Sequence, residues 1–126
     1  MSENRCRNKM EVELITYDEL CDAIEKDTSK SEMRTKAEFL EWALNDYPEF
    51  NLQEPVDLIR TLKNEIGMPL TYENIKNYCS KLSFQEAFKH EALFEILEMM
   101  SFDKTKTLEE TVIEISQHYK SQVDTK

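Results

Sequence analysis

The chain contains a single glycine, Gly67, in 126 residues. Strand-rich folds need many tight turns, and those turns draw on glycine for positive φ. One glycine argues against a sheet-based architecture and leaves no room for a glycine-rich, phosphate-cradling loop. No apolar run approaches the ~18 residues that a membrane-spanning helix takes. The opening residues, Met1 to Arg7, lack the apolar stretch of a secretory signal. Cysteine is scarce and odd in number, with Cys6, Cys21 and Cys79 widely spaced. That pattern does not read as a disulfide framework. Cys21 and Cys79 fall on apolar helix faces and read as buried thiols, so a reducing cytoplasm is the expected compartment. The metalloprotease HExxH, the redox CxxC and the hydrolase GxSxG are all missing.

What is present points to helices. Hydrophobic residues make up 40% and charged residues 33%, a balance that suits a folded domain and is too apolar for a disordered chain. The length fits one domain. We expect an all-α fold, a compact bundle of about six short helices over residues 10–122. Residues 1–9 read as a disordered tail and residues 123–126 as a frayed end.

The net charge of −10 is unevenly placed. Residues 1–9 carry +2, residues 10–57 carry −10 and residues 58–126 carry −2. An acidic field of this kind repels nucleic acid and attracts basic surfaces.

Helix starts are written as capping boxes, in which a Ser or Thr and a Glu three residues on satisfy each other's free backbone N–H groups. Thr16…Glu19, Thr35…Glu38, Ser83…Glu86 and Thr107…Glu110 fit this pattern, with Asn51…Glu54 a weaker analogue. Thr71 reads as a further N-cap, with Glu73 favouring the helix dipole. Helix-period apolar stripes follow each start. They predict helices over about 17–27, 32–46, 55–66, 72–82, 84–100 and 108–122. Pro48 stops the second helix, Pro55 opens the third, and Gly67 ends it as a left-handed cap. The fifth helix is apolar nearly all round in its second half and is expected to be the most buried. Met10–Leu14 departs from the helical pattern, alternating apolar and polar as a strand does. It reads as an extended arm on the helices, as a strand pairing with another molecule, or as disordered chain.

Several constellations carry candidate chemistry. Glu86…His90 and Glu114…His118 each place a carboxylate and an imidazole on one helix face. Their i, i+4 spacing differs from the Glu-x-x-His of di-metal bundles, and solvated surface pairs are the simpler reading. Asp103 to Glu114 has oxygens at calcium-loop positions, but Leu108 stands where that loop needs glycine. The capping box at Thr107 explains the same residues. No cofactor, no metal and no enzymatic activity are therefore expected.

Three binding classes remain. The first is a protein-interaction or regulatory domain whose acidic first half engages a basic surface on another protein. Asp18, Asp22 and Glu25 share one helix face at i, i+4, i+7. Glu41, Trp42 and Tyr47 are further candidate contacts, although Trp42 also fits the edge of the core. The second is a helix-turn-helix DNA binder using residues 55–82, with Tyr72, Asn74, Lys76, Asn77 and Lys81 outward. The acidity of the chain weighs against it. The third is an acidic nucleic-acid mimic that inhibits a nucleic-acid-binding enzyme, its carboxylates standing in for phosphates. Partner identity and homo-oligomerisation are not fixed by the sequence, and no membrane partner is expected.

Overall fold

The computed structural model describes residues 13–46 and 54–124. These form seven helices and no sheet: α1 Tyr17–Lys26, α2 Glu32–Asn45, α3 Pro55–Ile66, α4 Tyr72–Ser80, α5 Phe84–Lys89, α6 Glu91–Met100 and α7 Leu108–Asp124. The expected all-α bundle is present. Residues 1–12, including most of the strand-like stretch, lie outside the described residues, as does Tyr47.

Local chemistry sets most helix starts. Thr16 and Ser83 form reciprocal capping boxes with Glu19 and Glu86. At α7 the Thr107 N–H donates to Glu110 Oε1 over 2.8 Å, and the Glu110 N–H donates to Thr107 Oγ1 over 3.2 Å. Thr71 caps α4 through the Asn74 N–H. Gly67 ends α3 in the left-handed region at φ 72°, a conformation that costs a Cβ-bearing residue steric energy.

One expected box fails, and the weaker Asn51…Glu54 analogue has Asn51 outside the described residues. Helix α2 begins one turn before Thr35, at Ser31, whose hydroxyl accepts the Arg34 N–H. Thr35 is helical, and its hydroxyl donates back to the Ser31 carbonyl. Glu38 meets Arg34 instead of a cap, at 3.3 Å. At α3, Glu54 makes no side-chain cap. Its Oε1 accepts the Tyr17 N–H at 2.9 Å, tying the start of α1 to the start of α3.

The core centres on α2 against α6, the most extensive helix pair. Ala37 and Ala43 of α2 and Ala92 of α6 are fully buried, and side chains this small let helices pack closely. Leu40, Leu93, Ile96, Met99 and Met100 fill the contact. Helix α1 lies antiparallel to α2, since Tyr17 Oη at its start donates to Asn45 Oδ1 at the end of α2 over 2.9 Å. Helix α7 is tied across the bundle by polar contacts. Its buried Ser116 Oγ accepts the Ile15 N–H at 2.9 Å, and Tyr119 Oη donates to Asp27 Oδ2 at 2.6 Å. Glu114 holds the buried Lys36 at 3.0 Å.

The stretch read as one helix over 84–100 is two. The chain breaks at His90, with φ −117° and ψ 44°. The expectation of deep burial holds for α6, which has five buried residues, and fails for α5, which has none. With no buried residue and no extensive helix partner among the described residues, α5 has little tertiary reason to continue the axis of α6.

Candidate interaction surface

Helix α1 is amphipathic by burial. Leu20, Ala23 and Ile24 face the core, and Asp18, Asp22 and Glu25 face solvent. The i, i+4, i+7 spacing thus becomes an exposed ladder of carboxylates along one side of the bundle. Lys26 approaches Asp22 at 3.2 Å, a solvated pair. Among the described residues no cation lies within ion-pair distance of Asp18 or Glu25.

Glu41 reaches this helix from α2. Its Oε2 accepts a long hydrogen bond from Cys21 Sγ at 3.6 Å, which places it beside the ladder. Burial, reinforced by the charges of Glu41 and Asp18, pushes the Cys21 thiol up, so it stays protonated. Burial alone pushes Cys79 up to about 11. Neither environment activates a thiolate nucleophile. Trp42 is 46% exposed and meets Phe39 edge-on, with ring centroids 5.3 Å apart. Phe39 itself packs on the core, so Trp42 sits at the core edge with one face in solvent.

Two acids of α7, Glu109 and Glu114, are placed differently. Glu114 holds both Lys36 and Lys106, Glu109 holds Lys63 at 2.7 Å, and Lys120 reaches back to Glu19 at 3.1 Å. Burial favours the neutral form of Glu114, but the two lysines outweigh it and hold its carboxyl below the usual range. Glu109 and Glu114 are thus held by lysines from elsewhere in the fold, whereas Asp18 and Glu25 of the ladder meet no cation among the described residues.

The residues considered for DNA recognition are divided. Tyr72 is half-buried under Lys104, whose Nζ lies 5.0 Å from the ring centroid. Asn74 Nδ2 donates to the Pro69 carbonyl at 2.9 Å, bracing the turn after α3. Lys76, Asn77 and Lys81 are exposed. Helix α4 packs chiefly on α6, and α3 is not one of its principal neighbours.

The two Glu–His pairs are not brought together. His90 sits at the α5–α6 break, with Nε2 3.8 Å from Glu65 Oε2. His118 stacks edge-on against Tyr119 and meets Gln122. In the calcium-like loop, Asp103 accepts hydrogen bonds from Thr105, which hold its carboxyl low. Among the described residues no group of three or more His, Cys, Asp or Glu side chains is placed to hold a metal ion. No helix among them is long and apolar enough to cross a membrane.

Three features escaped the sequence reading. Glu95, on α6, has a buried Oε1 without a hydrogen-bond partner. Burial first, then the neighbouring Asp46 at the end of α2 and Glu91, push its carboxyl up to about 7. An apolar groove runs between the residues ahead of α1, α3 and α7. Phe84 and Phe88 stand in solvent on α5. The last had a signal in the sequence. On one unbroken helix these two phenylalanines share a bearing with Glu95, well off the middle of the stripe formed by Leu93, Ile96 and Met100. No protein-family model, curated protein or solved structure matches the chain.

Proposed function

We propose that this chain is a non-enzymatic, cytoplasmic protein-interaction domain whose acidic α1–α2 face engages a basic surface on a partner protein. The observation that supports the reading is a contrast in pairing: Asp18, Asp22 and Glu25 stand exposed with one solvated lysine between them, whereas Glu109 and Glu114 of α7 are each held by a lysine from elsewhere in the fold. Exposed carboxylates aligned at helical spacing steer a cationic partner and fix its register more than they add affinity. Glu41 extends the charge across to α2, and the exposed edge of Trp42 supplies an aromatic anchor on that same helix. DNA binding is a weaker reading, since Tyr72 and Asn74 are engaged within the fold.

The test separates a site from mere net charge. A fluorescent lysine-rich helical peptide is titrated against two variants of equal charge. Asp18→Asn/Asp22→Asn/Glu25→Gln removes the ladder, and Glu91→Gln/Glu98→Gln/Glu110→Gln removes exposed acids elsewhere. Three exposed pairs at about 0.5 kcal/mol each predict roughly tenfold weaker binding for the first variant and little change for the second. Equal losses in both variants mean that the peptide senses only overall charge, and the reading fails. Salt-sensitive binding to duplex DNA that Lys76→Glu/Lys81→Glu abolishes establishes the DNA reading in its place.

A further inference from the structure

Helix α5 is amphipathic in the wrong direction for a monomer. Phe84 and Phe88 lie one turn apart on the same face, 86% and 72% exposed, and no residue of the helix is buried. Two large rings in line form a ridge of about 300 Å² of apolar surface, scaling typical aromatic areas by these exposures. Gln85 and Lys89 flank the ridge, and Lys81 is exposed at the end of α4. Glu86, which caps Ser83, lies on the opposite side of the helix. The ridge is therefore apolar with a basic margin.

The complementary shape occurs elsewhere on the same chain. The groove between the residues ahead of α1, the start of α3 and the start of α7 has a volume of about 570 Å³. Its walls are Leu14, Ile15, Val56, Ile59 and Ile113, and Val56 is 45% exposed. Glu54, Glu109 and Lys63 stand at its rim. Lys63 closes onto Glu109 at 2.7 Å, so the rim keeps a net negative charge. Ridge and groove have no residue in common, and among the described residues none covers either.

We propose that copies of this chain associate head to tail, the Phe84/Phe88 ridge of one seated in the α3–α7 groove of the next. An i, i+4 aromatic pair laid into an apolar groove is a common way for a helix to be recognised. Here the basic margin of the ridge meets the acidic rim of the groove. Self-association through this contact is independent of the acidic ladder on α1. The two patches differ, so each contact leaves a free ridge and a free groove, and assembly proceeds past the dimer unless a ring closes. The ridge offers well under the roughly 800 Å² per partner of a stable interface. Association is therefore weak, with a dissociation constant between about 10 μM and 1 mM.

Sedimentation of the full chain over a wide concentration range, at physiological salt, tests this. The wild type is expected to gain mass with concentration and to pass the mass of a dimer. Phe84→Glu/Phe88→Glu removes the ridge, and Val56→Arg blocks the groove with a cation. All three sites are exposed, so circular dichroism and melting should match the wild type. Each variant alone is expected to stay monomeric. An equimolar mixture has one intact ridge and one intact groove, and it is expected to form a complex that stops at two chains. A monomeric wild type throughout the range overturns the proposal. So does wild-type association in either variant, or a mixture that stays monomeric, since a two-fold contact of like patches is not rescued by mixing.

Discussion

Helices α5 and α6 adjoin in sequence, share an apolar composition and meet at His90, yet they occupy opposite environments. Helix α6 buries Ala92, Leu93, Ile96, Met99 and Met100 against α2 and α4, and α5 buries nothing. Both satisfy the local rules. Phe84 and Phe88 have the same spacing as residues one turn apart in α6, and Ser83 caps α5 as well as Thr16 caps α1. The difference is tertiary: α2 supplies small residues where α6 lies, and among the described residues no helix packs extensively on α5. Apolar spacing marks a face that needs covering, and does not say whether the cover belongs to the same chain.

The sharpest way to test this contrast is to truncate each side. Leu93→Ala leaves a cavity between α2 and α6 and is expected to cost about 3 kcal/mol in urea unfolding. Phe84→Ser and Phe88→Ser, measured at low protein concentration, are expected to change stability by less than about 0.5 kcal/mol. Similar losses at both places break the comparison.

A smaller effect concerns Glu95, the partly buried acid of α6. Glu95 lies next to Asp46, at the carbonyl end of α2, where the helix dipole also disfavours negative charge. Its folded pKa of about 7 lies above its unfolded value. The fold is therefore favoured by the protonated form, fully at pH below the unfolded value, and that advantage is lost as pH rises through about 7. Melting temperature is expected to fall between about pH 5 and pH 8 by an amount equivalent to roughly 1–3 kcal/mol. Glu95→Gln, which keeps the neutral shape, is expected to flatten that slope and to raise the melting temperature at pH 8. An unchanged slope in the variant rules Glu95 out as its source.

The sequence made the helices legible because their signals are local. Thr16, Thr71, Ser83 and Thr107 mark starts through bonds spanning three residues, and Gly67 marks an end through its own φ. Ser31 has Arg34 and not Glu three residues on, so it carries no capping box, whereas Thr35…Glu38 offers that pattern one turn later. Long-range pairings were not legible. Lys36 with Glu114 spans 78 residues, and Ile15 with Ser116 spans 101. Nothing in the local pattern distinguishes Lys36, which is buried, from Lys30, which is exposed. The carboxylate ladder on α1 was legible because helical phase alone fixes it. Its contact with Glu41 depends on how α1 packs on α2, and the exposure of the α5 ridge depends on where α5 sits relative to the other helices.

Hydrogen exchange by mass spectrometry, at low micromolar concentration where copies do not associate, tests the division most directly. Helices covered by a core exchange near the global unfolding free energy, and uncovered ones open locally. The amides of Ile96 to Met100 are expected to exchange only through global unfolding. Those of Ala87 to Lys89 are expected to exchange through local opening that costs no more than about 2 kcal/mol. Equal protection in the two helices would contradict the account, because α5 would then be part of the core that α6 builds.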